Sequence, residues 1–258
     1  MPPQPLPPDS LVELLKSARR VVVLTGAGMS AESGIPTFRD AQTGLWARFD
    51  PYVLASPEGF AQDSETVWAW YESRRRQVKS AQPHPGHVAL ARLAALPRFD
   101  EFTVVTQNVD DLHERAGSES VIHLHGSLFA PRCQACGAPH QVSADTPDAG
   151  TSSRLAPPRC SACGGTVRPG VVWFGESLPE QAWDQAMQAA ARADAMLVVG
   201  TSSQVYPAAG LPQEVRRRGS GQVAVINPDE GVRESPGDLV WNVTAGTGIP
   251  ALLARLAD

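Results

Sequence analysis

The sequence predicts an α/β fold: a parallel sheet covered by helices on both faces, with a smaller module attached. Three observations carry this. Continuous apolar runs of strand length recur at 21–25, 103–106, 195–199 and 222–226, with Val240 and Trp241 as a last candidate. Helical patterns separate them, at about 57–80, 87–96, 179–192, 208–218 and 249–257. Strands that do not alternate polar with apolar are buried on both faces, and helices between them make the sheet parallel. The third observation is length. At about 150 residues per domain, the 258 residues make one large domain, or one with a small insert.

Residues 1–8 hold five prolines and read, with residue 9, as a frayed tail. Ser10 is the expected N-cap of a helix through Arg20, with Leu11, Leu14, Leu15 and Ala18 on one face. The stretch 141–159 has the composition of a loop. Apolar residues at 42% and charged residues at 19% argue against disorder. No apolar run is long enough to span a membrane, and MPPQPLPP lacks the basic and apolar regions of a secretory signal. A net charge of −5 suits no general nucleic-acid binder. Only Lys16 and Lys79 are lysines among 22 basic residues, a bias of GC-rich coding sequence. A cytoplasmic, bacterial protein is expected.

In parallel sheets ligands bind beyond the carboxyl ends of the strands, so those ends come next. The first run leads into Gly26-Ala27-Gly28-Met-Ser30-Ala-Glu-Ser-Gly-Ile-Pro-Thr-Phe38-Arg39-Asp40. Two glycines let backbone N–H groups approach a pyrophosphate; a Gly-x-Gly is also a plain tight turn. Ala31 stands where the dinucleotide fingerprint needs a third glycine, and no acidic strand end follows at the usual distance. A dehydrogenase is therefore disfavoured. The second run ends in Thr106-Gln107-Asn108-Val109-Asp110-Asp111, where an aspartate can also serve as a helix cap. Next, His123-Leu-His125-Gly-Ser127 points two imidazoles to one side of an extended segment, and His125 is a general-base candidate.

The four cysteines come as Cys133-x-x-Cys136 and Cys160-x-x-Cys163, separated by 23 residues. Paired thiolates at this spacing suit tetrahedral Zn²⁺ with no open position, hence a structural ion. The gap exceeds the usual 15–20 or so, and the loop-like stretch within it accounts for the excess.

Taken in order, GAGMSAESGIPTFRD, TQNVDDLHERAG, HLHGS, the two cysteine pairs, Arg168-Pro-Gly-Val-Val-Trp-Phe-Gly-Glu176, Gly200-Thr-Ser202 and Ile226-Asn227 resemble the sirtuin family of NAD-dependent protein-lysine deacylases. The resemblance spans about residues 10–257. It implies a Rossmann-like domain (10–39, 100–128, 169–258), a helical insert (40–99) and a zinc-ribbon module (129–168). NAD is then a consumed co-substrate that loses nicotinamide and accepts the acyl group. By position, Gly26, Ala27, Gly28 and Ser30 match the phosphate-facing turn. Phe38, Arg39 and Trp46 match the cofactor loop. Gln107, Asn108 and Asp110 match the nicotinamide and ribose contacts, with Asn108 and Asp110 also catalytic. His125 matches the base for a ribose hydroxyl, Gly200, Thr201 and Ser202 the phosphate and ribose grip, Asn227 the adenosine ribose, and Ala245 the adenine neighbour. Val172, Phe174, Gly175 and Val205 match the substrate cleft, where 170–176 and 203–207 each offer a strand edge to an acyl-lysine peptide.

Other features have plainer readings. Arg74–Arg76 and Arg216–Arg218 read mostly as solvated helix faces, Trp68 and Trp70 as packing residues, and His84 and His87 as a helix start. Tyr71 and Arg74, at i and i+3, share a helix face, and a phenol plus a guanidinium suits a carboxylate. The resemblance matches this pair to members that remove succinyl and malonyl groups, with the small Ala41 leaving room. The expected activity is deacetylation with desuccinylation. Mono-ADP-ribosyl transfer and a non-catalytic NAD-responsive module are the alternatives.

Overall fold

The structure, a computed structural model, describes residues 5–37, 49–141, 153–217, 221–232 and 235–257. Six parallel strands form the main sheet: β1 (Arg20–Thr25), β2 (Glu101–Thr106), β3 (Val121–His123), β6 (Ala195–Val199), β7 (Gln222–Ile226) and β8 (Leu239–Trp241). Two short strands, β4 (Arg132–Cys133) and β5 (Val167–Arg168), pair antiparallel elsewhere. The main order is β3-β2-β1-β6-β7-β8, the doubly wound arrangement whose order reverses between β1 and β6. Register aligns the carboxyl ends. Thr25 is level with Thr106 and Val199, Thr106 with His123, and Val199 with Ile226.

The helices are α1 (Asp9–Ser17), α2 (Gly28–Ala31), α3 (Pro51–Leu54), α4 (Pro57–Gln62), α5 (Ser64–Ser80), α6 (Pro85–Ala94), α7 (Leu112–Arg115), α8 (Glu180–Arg192), α9 (Leu211–Arg217) and α10 (Ala245–Ala257). β1 is apolar from Val21 to Leu24 because its side chains alternate between two cores. Val21 and Val23 join Leu11, Leu90 and Leu252 from α1, α6 and α10. Val22 and Leu24 join Ala186, Ala190 and Val215 from α8 and α9. Helices α3–α5 build a third core, where Leu54, Phe60, Trp70 and Tyr71 meet Leu128, Val171 and Trp173. Trp68 turns the other way and packs with Cys133, Cys160 and Val167, so one tryptophan supplies most of the cysteine module's apolar centre.

Several elements depart from the sequence reading. α1 starts at Asp9 with Pro8, not Ser10, at the N-cap; the Pro8 carbonyl accepts from the N–H groups of Leu11 and Val12. The helix expected over 57–80 is two, broken at Asp63, whose carboxylate accepts from the Thr66 N–H and starts α5 anew. The helix expected at 208–218 opens with a 3₁₀ turn, Ala208–Gly210, before α9. α10 starts at Ala245, a turn before 249, with Pro250 inside it. Residues 85–94, within the expected 40–99 insert, form α6 and pack in the sheet core instead. Trp68 and Trp70 are buried, and His84 caps α6 by accepting from the Gly86 N–H.

The arginine clusters are not solvated faces throughout. Arg75 is 1% exposed, pairs with Glu72 and donates to the Leu128 carbonyl at 2.7 Å. Arg216 forks onto Asp238, whose side chain is 3% exposed, at 2.6 and 2.8 Å.

Candidate active site

The β1 and β6 turns press together at the point where strand order reverses. Gly28 donates its N–H to the Gly200 carbonyl at 2.7 Å, and Gly26 to that of Val199 at 3.1 Å. A Cβ on Gly28 would lie 2.7 Å from the Gly200 oxygen, and one on Gly26 2.7 Å from Thr201 Cβ. Gly200 has φ +60 and would meet the Met29 nitrogen at 2.4 Å. Glycine at these places lets two backbones touch. The N–H groups of Ala27 and Ser202 accordingly have no partner among the described residues, a donor pair suited to a phosphate-bearing ligand.

Polar side chains at the β2 end join these turns. Asn108 Nδ2 donates to the Gly26 carbonyl and to Ser30 Oγ, both at 3.0 Å, and Ser30 Oγ donates to Asp110 Oδ2 at 2.9 Å. With its amide hydrogens engaged, Asn108 keeps Oδ1 as an acceptor. Burial raises the Asp110 pKa, against the Leu112 N–H and the Ser30 hydroxyl, which favour its anion. Gln107 Nε2 donates to Thr201 Oγ1 at 3.0 Å, and Asn227 Nδ2 to the Thr201 carbonyl at 2.9 Å. Gln107, Thr201 and Asn227 thus form one connected wall. Ala245 is buried at the start of α10 beside Gly246, whose N–H donates to Glu32 Oε2 at 2.7 Å.

The partners of the two histidines after β2 separate their roles. His125 Nδ1 is 3.0 Å from the Gln107 carbonyl. A carbonyl only accepts, so Nδ1 carries the proton and Nε2 is left with its lone pair. Burial lowers the His125 pKa, with the Gln107 bond opposing it, and the ring is a neutral base. His123 instead lies between two acceptors, the Asn108 carbonyl at 3.2 Å and Glu114 Oε1 at 2.6 Å. Burial pulls His123 down, but Glu114 and the Asn108 carbonyl together carry it above the ordinary value. Both of its ring nitrogens are engaged, so of these two histidines only His125 has a ring nitrogen left for chemistry.

Beyond His125, Val172 donates its N–H to the His125 carbonyl at 2.8 Å, and Phe174 to that of Ala55 at 3.0 Å. The Trp173 N–H goes to Glu176 Oε2 at 2.8 Å. Of the backbone N–H groups at 172–175, that of Gly175 alone has no partner among the described residues, and Gly175 is exposed with φ +87. Phe174 and Val205 are exposed, and Tyr52 packs on Phe174 at 5.0 Å between ring centroids.

Tyr71 is 5% exposed, and its phenol oxygen accepts from Trp173 Nε1 at 3.0 Å. Arg74 lies over the Trp70 ring, 5.1 Å from its centroid. Burial lowers its pKa, while Tyr71 and Asp110 oppose that shift. Phe38, Arg39, Ala41 and Trp46 lie outside the described residues.

The four cysteine sulfurs lie within 4.8 Å of one another. Cys133–Cys163, Cys136–Cys160 and Cys136–Cys163 are 3.5, 3.8 and 3.4 Å apart. Zn–S bonds of about 2.3 Å set tetrahedral sulfurs about 3.8 Å apart, so the donor set fits one structural Zn²⁺. The Ala135 and Gly165 N–H groups donate to the Cys133 and Cys163 sulfurs, both at 3.4 Å. Arg168, on β5, ties this module to the cleft. It bonds Gln134 Oε1 at 3.3 Å and forks onto Glu176 at 2.5 and 2.9 Å. The sequence reading missed this link, and also the Gln107 carbonyl that orients His125.

Comparison with known proteins agrees with this geometry. The Sir2 family model matches residues 26–207. An NAD-dependent protein deacylase of Methylococcus capsulatus is 53% identical over 250 residues, covering 96% of each chain. A crystal structure of a Sir2 homolog–NAD complex is 45% identical with a TM-score of 0.85, over 97% of this chain and 94% of that one. A Sir2 protein bound to an acetylated peptide is 30% identical with a TM-score of 0.82, over 96% and 97%. With both the strand-end chemistry and these relatives in agreement, the chain belongs to the Sir2 family, the sirtuins.

Proposed function

We propose that the chain is an NAD-dependent protein-lysine deacylase acting on acetyl-lysine and on succinyl- and malonyl-lysine. The observation that carries this reading is the neutral His125, with Nδ1 tied to the Gln107 carbonyl and Nε2 free, beside the Asn108–Ser30–Asp110 network. NAD, when bound, supplies a ribose carbon that nicotinamide leaves and the acyl oxygen attacks. Gly26, Ala27 and Gly28, with Gly200, Thr201 and Ser202, hold the phosphates; Asn227 holds the adenosine ribose, and Ala245 borders the adenine. Gln107, Asn108 and Asp110 orient the nicotinamide end, where Asn108 Oδ1 accepts from a hydroxyl. His125 Nε2 takes the proton of a ribose hydroxyl. Phe38, Arg39 and Trp46, which match the cofactor loop by sequence, serve the same cofactor, whose reactive ribose carbon an aromatic side chain can shield from water.

The acyl-lysine protein lies between Gly175 and Val205, its lysine flanked by Val172 and Phe174. Tyr71 and Arg74 receive a carboxylate at the far end of the acyl chain. Cys133, Cys136, Cys160 and Cys163 hold a structural zinc that takes no part in the reaction. The cytoplasm, which keeps four thiols reduced, suits this set. His125→Ala tests the reading: deacylation should fall roughly 10²–10⁴-fold, as for loss of a general base, with the fold retained. Near-normal turnover would remove His125 from the chemistry.

A further inference from the structure

The contact between Tyr71 and Trp173 joins α5 to the segment after β5, and its polarity has a consequence. An indole N–H is a donor only, so at 3.0 Å from Trp173 Nε1 the Tyr71 oxygen is the acceptor. The phenol's own proton must therefore point elsewhere, and no acceptor for it occurs among the described residues. Burial pushes the Tyr71 pKa well above its ordinary value, so the proton stays on at neutral pH.

Trp173 is held from several sides. Its ring packs on Phe60 at 5.3 Å between centroids, and the Arg168 guanidinium lies 3.4 Å over it. Its backbone N–H is fixed on Glu176, the carboxylate that Arg168 grips with two bonds. The indole is 2% exposed and is not free to turn its N–H away. Arg74, three residues beyond Tyr71, contributes a charge that lies over the Trp70 face.

We propose that Trp173 is a specificity-determining positioning residue: by occupying the acceptor side of the Tyr71 hydroxyl, its indole N–H commits the phenol to donate, beside Arg74, to an acyl group ending in a carboxylate. This rests on Tyr71 and Arg74 forming the carboxylate pair. A phenylalanine at 173 fills most of the space and leaves the Tyr71 hydroxyl free to rotate. A neutral acetyl group makes no use of the donor and is indifferent to the change.

The test is steady-state kinetics of the full-length, zinc-loaded enzyme on matched succinyl- and acetyl-lysine peptides. Trp173→Phe should raise KM for the succinyl peptide about 3–10-fold, the range of one neutral hydrogen bond, with kcat and the acetyl parameters within twofold. Tyr71→Phe should lower the succinyl-to-acetyl ratio, and the double variant should lose no more than Tyr71→Phe alone. Equal losses on both peptides, or none, in Trp173→Phe while Tyr71→Phe still shifts the ratio would overturn the role of Trp173. An unchanged ratio in Tyr71→Phe would instead overturn the carboxylate pair, and this inference with it. If Trp173→Phe does not fold, benzothienylalanine at 173 replaces the N–H by sulfur in a ring of the same shape. The same two peptides then decide.

Discussion

Replacing Arg74 by methionine is the sharpest perturbation of acyl preference. Methionine keeps an unbranched apolar stem over Trp70 and removes only the charge and its donors. In the structure the Arg74 head stacks on Trp70 and has no hydrogen-bonding partner among the described residues. No internal ion pair is therefore broken by the change, and little stability should be lost. What disappears is a charge-assisted bond to the substrate, worth about 1.5–3 kcal/mol, or roughly 10–150-fold in affinity. Arg74 is partly exposed, so solvent screening places the effect in the lower part of that range. The assay is product formation against peptide concentration for succinyl- and acetyl-lysine in one sequence context. KM for succinyl-lysine should rise at least about tenfold while acetyl-lysine is spared. Equal loss on both peptides, or none on succinyl-lysine, would return Arg74 to a structural or solvated role.

Two further outcomes follow from the site. His125 works as a base only when neutral, and burial lowers its pKa, so activity should persist as the pH falls until the ring protonates. The acid limb of kcat/KM should have its midpoint below the ordinary histidine value of 6.5, and a midpoint above it would contradict a buried neutral imidazole. Cys133→Ala or Cys160→Ala should abolish stoichiometric zinc in metal analysis and lower Tm, because both cysteines share a core with Trp68 and Val167. A metal-free variant of unchanged stability and activity would refute the structural zinc.

The parallel sheet was legible because its central strands are apolar on both faces; β6 and β7 lie where their runs do, at 195–199 and 222–226. Strand-end motifs were legible for a related reason, since glycines and polar side chains interrupt long apolar runs there. Helix boundaries were less so. Asp63 caps a new helix inside a pattern that looks continuous, and the break depends on one side chain turning back onto Thr66. Arg75 was hidden among arginines, although Glu72 stands one turn before it and Tyr71 and Val78 mark the same inward stripe. Contacts such as Trp173 with Tyr71, or Arg168 with Glu176 and Gln134, join segments that local pattern cannot relate. The residue types at the site could be read from the sequence; which nitrogen of His125 is free, and which way Tyr71 donates, required the fold.

The most direct test of the account is mass spectrometry of the products formed from NAD and an acyl-lysine peptide. The site described here predicts one free nicotinamide and one O-acyl-ADP-ribose for each lysine unmasked, from acetyl- and succinyl-lysine alike. Release of free acetate or succinate with NAD intact, or transfer of ADP-ribose to the peptide with its acyl group retained, would contradict it.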